Sequence, residues 1–170
     1  MGRVILLTGA PGVGKTTAIQ TVIPWLSREV GGFFTQEIRE SGRRKGFKII
    51  TMDGHEGVLA HVDIRAGPRI GKYGVDLAAI EELIVGSLRS SLKDDSLLII
   101  DEIGPMEILS DSFRQVVMEV LRSEKDVLGT IVKRKLPFTE RIKASPKVTI
   151  LEIHEGNRHV IPEKIYSLLK

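Results

Sequence analysis

The feature that most constrains this chain is a glycine-rich turn between an apolar segment and a predicted helix. Val4–Leu7 is a short, continuously apolar run, which is typical of a strand buried on both faces of a sheet. Residues 9–14 contain three glycines and one proline, and a helix is predicted from Lys15 to about Leu26. A strand that passes through such a turn into a helix is typical of α/β proteins with a parallel sheet.

The turn also carries a specific pattern, because Gly9 to Thr16 fits G-x-x-x-x-G-K-[ST] at every position. Glycines let successive N–H groups point inward at phosphate oxygens, and the N-terminus of the next helix presents about half a positive charge to the same anion. We expect Lys15 to lie between the β- and γ-phosphates and the Thr16 hydroxyl to coordinate Mg²⁺. The predicted nucleotide-binding residues of this loop are Gly9, Ala10, Pro11, Gly12, Val13, Gly14, Lys15, Thr16 and Thr17.

A pair of carboxylates follows the second continuously apolar run, Leu97–Ile100. At the C-terminal edge of a parallel sheet, such side chains face the crevice where ligands bind. Asp101 is therefore predicted to be the magnesium partner, through a water molecule, and Glu102 to orient and deprotonate a water for in-line attack. The alternative for Glu102 is a cap of the next segment or an ion pair with a surface lysine. Glu107 is predicted to align that water indirectly or, more simply, to pair with a basic residue.

Four further residues are weaker site candidates. Thr130 would face the γ-phosphate or the attacking water if its strand lies between the other two buried strands, but threonine is also an ordinary strand residue. Asn157 and Arg158 follow the last predicted strand and are expected beside the nucleotide base, although asparagine also suits a turn. Arg69, in the Gly/Pro-rich stretch 63–74, is the candidate for stabilising transition-state charge, and the alternative is a solvated surface arginine.

The remaining pattern predicts one α/β domain over residues 1–170. Strands are expected at 31–38, 46–52 and 58–62, which makes 31–62 a hairpin or meander extension of a mostly parallel sheet. Residues 63–74 are predicted to form a long loop, and 76–92 a helix capped by Asp76. Further predicted elements are a helix with an apolar stripe over 113–121, a strand over 127–132, a helix over 137–144, a strand over 148–153 and a helix over 162–169. Trp25 and Phe113 are expected in the core.

Composition excludes several classes of protein. The 170 residues are 42% hydrophobic with a formal net charge of +3, so a packed core is expected. There is no cysteine, which excludes disulfides and thiol catalysis, and no run of about 18 apolar residues, so we expect a cytoplasmic protein without a membrane span. Asn157 is the only asparagine, and this scarcity of amides, together with many charges, favours a thermophilic source.

Taken together, these motifs make the chain similar to the small nucleoside-triphosphatase family of the P-loop superfamily, which has a human member, the cancer-related nucleoside triphosphatase. The loop alone indicates only the superfamily, whereas the blocks in the middle of the chain are more specific. The blocks that carry the resemblance are residues 8–17, 32–39, 42–47, 69–76, 101–107, 128–131 and 157–158.

The resemblance implies a RecA-like, three-layer α/β fold. It implies magnesium-dependent hydrolysis of the γ-phosphate of ATP, GTP, CTP, UTP and TTP with little base selectivity. Two positions depart from the family pattern: Pro105 stands where lysine is frequent, and Gln36 where glutamate is frequent. The first departure weakens the expectation of a phosphate contact from position 105, and the second weakens the expectation of a carboxylate at position 36.

Two other functions stay open at the level of sequence. A small-molecule kinase is compatible with the basic segment from Lys133 to Arg141, which resembles a lid closing over phosphates. A nucleotide-switched module that binds RNA or protein is compatible with the basic cluster of the predicted hairpin, residues 39–48. Phosphate release without an acceptor would distinguish hydrolysis from the first, and salt-dependent stimulation by nucleic acid would indicate the second.

Overall fold

The computed structural model describes residues 2–170, and the strands of this range form one sheet in the order β5-β6-β4-β3-β2-β7-β8-β1-β9. The nine strands are β1 (Val4–Thr8), β2 (Val30–Glu40), β3 (Arg43–Thr51), β4 (Glu56–His61), β5 (Arg69–Ile70), β6 (Tyr73–Val75), β7 (Leu97–Ile103), β8 (Val127–Ile131) and β9 (Val148–Glu152). Strands β2, β7, β8, β1 and β9 are parallel neighbours, whereas β3 to β6 pair antiparallel. The prediction that β8 separates the loop strand β1 from the acidic-pair strand β7 is therefore confirmed.

Helices cover both faces of the sheet, and its central strands β1, β7 and β8 are buried and mostly apolar, with their polar residues toward the carboxyl ends. The helices are α1 (Lys15–Leu26), α2 (Leu77–Ala79), α3 (Gly86–Ser91), α4 (Asp111–Arg122), α5 (Pro137–Lys143) and α6 (Ile161–Leu169). Ile5 and Leu7 of β1 face the core under α1 and α6, whereas Val4 and Leu6 face the core that contains Phe113 of α4. This three-layer arrangement confirms the predicted α/β fold with a mostly parallel centre.

Three local expectations need correction. The stretch 63–74 is not an unstructured loop, because β5 and β6 lie within it and extend the antiparallel edge. The helix predicted over 76–92 begins as expected, with the Asp76 carboxylate accepting from the Ala79 N–H at 3.0 Å, but a π-helical stretch, Ile80–Val85, joins α2 to α3. Trp25 is 46% exposed, since it lies at the end of α1 against the edge of the Tyr166 ring, so its prediction as a core residue is wrong. Phe113 is fully buried, as predicted.

The strand order places three chain segments at one edge of the sheet. The glycine-rich loop follows β1, the acidic pair ends β7, and Val132 follows β8. All three are the carboxyl ends of adjacent parallel strands, so they converge on one crevice. Within residues 2–170, none of the helices combines the length and apolarity that crossing a bilayer requires.

Candidate active site

The loop between β1 and α1 has a backbone that only glycine adopts easily. Gly12 has φ 75°, and Gly14, the N-cap of α1, has φ 110°, both in the left-handed region that penalises a Cβ. The Lys15 ammonium folds back over this loop and donates to the carbonyl oxygens of Gly9 at 2.7 Å and Ala10 at 3.4 Å. The arrangement places a cation above a curved main chain at the positive end of a helix, which suits a polyphosphate.

Asp101, on β7, is held at the centre of the site by hydroxyl groups from α1 and from β8. The Thr16 hydroxyl donates to one of its carboxylate oxygens at 2.7 Å, and the Thr130 hydroxyl donates to the other at 2.7 Å. Asp101 is 4% exposed, and burial raises the pKa of its carboxyl, although the two hydroxyls and the Lys15 charge oppose this rise. Thr130 thus contacts the carboxylate rather than facing open space, and it fixes the orientation of Asp101.

Two glutamates lie beside Asp101, and neither is paired with a basic side chain among the ion pairs of residues 2–170. Glu102 is half-buried, and burial raises the pKa of its carboxyl while the Lys15 charge lowers it. Glu107 is 3% exposed, and burial, with the charges of Glu102 and Asp101 nearby, raises its pKa well above the usual range. The ion pair expected for Glu107 is therefore replaced by a carboxyl buried next to the acidic pair.

The loop and the carboxylates line one cavity of about 630 Å³. One wall is the phosphate loop, through residues 9–12, 15 and 16, and another is Asp101, Glu102 and Glu107, whereas Val13, Gly14 and Thr17 do not line the cavity. The antiparallel strands and the segment after β7 provide the apolar part, and the segment after β8 closes the remaining side with two basic residues. The residues of these last two walls are Thr35, Gln36, Glu37, Arg44, Phe47, Leu59, Ile70, Pro105, Met106, Val132, Lys133 and Arg134.

None of the four weaker candidates is a lining residue of this cavity, although Thr130 donates to Asp101, which is one. Arg69, the first residue of β5, donates to the carbonyl oxygens of Ile64 at 2.7 Å and Lys72 at 2.5 Å, so its guanidinium is bonded within the segment 63–74. Asn157 forms a turn, because its amide donates to the Glu152 carbonyl and its side-chain oxygen accepts from the His154 N–H, both at 2.8 Å. Only Arg158 stays near the loop: its Cδ is 3.9 Å from where a Cβ on Gly14 would lie.

The apolar wall is the part that sequence reasoning missed. Phe47 packs edge-on against Tyr73 with ring centroids 5.3 Å apart, and the Arg44 guanidinium lies 5.2 Å from the centre of the Phe47 ring. Leu59 and Ile70 come from two further strands. Alternation along β3 indicates which side chains share a face, but nothing in the sequence says that this face turns toward the phosphate loop.

The donors at the loop fit a magnesium ion that binds together with a triphosphate. Mg²⁺ takes oxygen ligands and keeps several waters, so a hydroxyl and one carboxylate suffice when phosphates supply the rest. Thr16 and Asp101 offer these oxygens 2.7 Å from each other. Within residues 2–170 there is no cluster of three or more histidines or carboxylates that could hold a metal by itself.

Comparisons with known proteins agree with this geometry. A family model described as NTPase matches residues 4–166. Nucleoside-triphosphatase THEP1 of Thermotoga petrophila is 51% identical over 166 residues, with 98% of this chain and 92% of that protein covered. The crystal structure of THEP1 from the hyperthermophile Aquifex aeolicus superposes with a TM-score of 0.88 at 35% identity, with 99% of both chains covered. The solution structure of a human cancer-related nucleoside triphosphatase gives 0.81 at 35% identity, covering 99% of this chain and 97% of that one. The chain therefore belongs to the NTPase family.

Proposed function

We propose that this protein hydrolyses nucleoside triphosphates to the diphosphate and phosphate, with magnesium as the cofactor. One observation carries the proposal: the phosphate loop, its lysine and the acidic pair line the same cavity, although they are about 90 residues apart in the chain. The names of the THEP1 relatives support the same reaction class. Each residue's role follows from what it contacts.

The loop binds the phosphates. Its main-chain N–H groups and the N-terminus of α1 hold the β-phosphate, and the Lys15 ammonium exchanges its two carbonyl partners for phosphate oxygens. The exchange is favourable because an ammonium interacts more strongly with an anion than with neutral carbonyls. Lys15 thus changes hydrogen-bond partners when the substrate binds, and its positive charge compensates the negative charge that develops between the β- and γ-phosphates.

Asp101 and Thr16 are the residues that would hold the magnesium ion bound with the triphosphate. Magnesium, when bound, would supply neutralisation of the phosphate charge, and the Thr16 hydroxyl and the Asp101 carboxylate are the groups that would hold it. The Thr130 hydroxyl donates to the Asp101 carboxylate at 2.7 Å and fixes its orientation. Since Thr130 is fully buried, this orientation is built into the core.

Glu102 activates the nucleophile. A water oxygen attacks the γ-phosphorus, the bond from that phosphorus to the bridging oxygen breaks, and the water's proton passes to the Glu102 carboxylate. Burial raises the pKa of Glu102, which brings it closer to the operating pH and makes it a better base than an exposed glutamate.

The apolar wall limits the water that reaches the γ-phosphate. Phe47, Leu59, Ile70 and Met106 line the cavity. Low polarity at this position strengthens the interactions of Lys15 and the metal with the phosphates. Because the roles assigned above all act on the phosphates and none acts on the base, we propose broad use of ATP, GTP, CTP, UTP and TTP.

Phosphate release tests this function. The protein is incubated with each of the five triphosphates and magnesium, without any acceptor, and phosphate and diphosphate are quantified. We expect equimolar products that vanish when the magnesium is chelated and when Lys15→Ala replaces the parent protein. Consumption of triphosphate only after a hydroxyl compound is added would instead indicate a kinase, and no consumption at all would contradict both. Stimulation by RNA that weakens steeply with salt would favour the nucleotide-switched module.

A further inference from the structure

The cations on the cavity wall differ in whether they already have a protein partner. Lys15 donates to two loop carbonyls. Arg44 donates to the Tyr73 hydroxyl at 2.9 Å and to Glu37 at 3.2 Å. Lys133 forms an ion pair with Glu152 at 3.7 Å. Among residues 2–170, Arg134 is the cavity-lining cation whose side chain has neither a hydrogen bond nor an ion pair.

The main chain that carries Arg134 is fixed on both sides of it. On one side, the Val132 N–H donates to the carbonyl of Ile103, the last residue of β7, at 3.1 Å. On the other side, α5 begins at Pro137, whose ring presets the helical φ. The Lys143 ammonium also donates to the Lys133 carbonyl at 3.4 Å. The backbone around Arg134 is therefore fixed, while its side chain has no protein partner. Arg134 lies two residues after Val132, which bonds to β7, the strand of the acidic pair.

The other arginines near the site are less available. Moving Arg44 toward a phosphate would break its bonds to Tyr73 and Glu37 and remove it from the rings of Phe47 and Tyr73. Moving Arg69 would release two carbonyls of its own loop. Arg134 requires no such exchange, and a guanidinium offers five donors in a planar fork that matches two phosphate oxygens.

We propose that Arg134 contacts the γ-phosphate oxygens and stabilises the charge of the transition state. The inference rests on the proposed function, since it assigns a residue to that reaction. Lys15 approaches the phosphates from the loop, and Arg134 approaches from the end of β8. The two cations thus act on the transferred group from different walls of one cavity.

The test compares Arg134→Ala with Lys135→Ala, which removes the same charge from the next residue, an exposed one outside the cavity lining. We expect Arg134→Ala to lower kcat about 100-fold with a small change in KM. We expect Lys135→Ala to stay within about twofold, and Arg134→Lys to recover part of the loss because it restores the charge without the fork. Melting temperatures should match the parent, because the Arg134 side chain is exposed.

Binding separates transition-state from ground-state contact. Affinity is measured for ADP with aluminium fluoride and magnesium, a transition-state mimic, and for a non-hydrolysable ATP analogue with magnesium. Arg134→Ala should weaken the mimic about 100-fold and the analogue much less. Equal weakening of both, or parent-like turnover of Arg134→Ala, overturns the proposal. Because the parent and Lys15→Ala are assayed alongside, failure of the proposed function appears separately, as a parent protein that releases no phosphate.

Discussion

The two halves of the sheet differ in what they contribute to the site. The parallel half, β2, β7, β8, β1 and β9, ends in the loop, the acidic pair and the Arg134 segment. The antiparallel half, β3 to β6, adds a wall of apolar side chains and one tethered arginine. Parallel strands bring their carboxyl ends to one edge of the sheet by topology alone. In an antiparallel extension, the twist and register of the strands determine which side chains face the crevice. The residues that we propose for catalysis thus lie on the half that is positioned by topology, and the apolar wall of the cavity lies on the half that is positioned by packing.

The largest effect that this comparison predicts is at Lys15. Lys15→Ala removes the cation that spans the loop, and we expect turnover to fall about 1000-fold, together with a marked loss of triphosphate affinity. Phosphate release and a binding titration measure the two effects. Retention of both activities would mean that the loop of the parallel half does not bind the substrate.

The next effect concerns the carboxylate held by Thr16 and Thr130. Asp101→Asn keeps the shape of the side chain but removes its charge, so we expect about 100-fold slower turnover and a higher magnesium requirement. The rate is measured across a magnesium titration. An unchanged magnesium optimum would show that Asp101 does not serve the metal.

For Glu107, we expect an effect on the pH dependence of stability rather than a loss of turnover. Its pKa is raised in the folded protein, so folding is favoured while the carboxyl is protonated and becomes less favourable as pH rises from the unfolded pKa through the folded one. Each unit of that rise is worth about 1.4 kcal/mol. Glu107→Gln should therefore be more stable than the parent at alkaline pH and lose part of the parent's decline between mildly acidic and alkaline pH, with Asp101 and Glu102 accounting for the rest. Denaturant unfolding at several pH values measures this, and parallel curves for both proteins would contradict it.

The smallest effect is expected in the antiparallel half. Arg69→Ala breaks two hydrogen bonds inside its loop and should cost about 1 kcal/mol of stability while turnover changes less than about twofold. Thermal melts and phosphate release are the measurements. A drop of 100-fold in turnover would show that this half supplies transition-state charge after all.

The same division explains what could be predicted from the sequence. The loop, Asp101 and the position of β8 beside β1 follow from a local motif and from how parallel sheets are built, and the strand order confirms the last of these. Phe47 lines the cavity, and the Arg69 guanidinium bonds to carbonyl oxygens of its own segment. Both placements depend on how the antiparallel strands fold over the crevice, which local sequence patterns do not encode. Trp25 shows the same limit, because its exposure depends on where α1 ends relative to α6.

The most direct measurement is the turnover and triphosphate affinity of Glu102→Gln. The substitution keeps the size of the side chain and removes its ability to accept the proton from water. The account predicts that turnover falls about 100- to 1000-fold while the affinity for the triphosphate with magnesium stays close to that of the parent. Parent-like turnover with unchanged affinity would contradict the assignment of the acidic pair as the catalytic centre of the cavity.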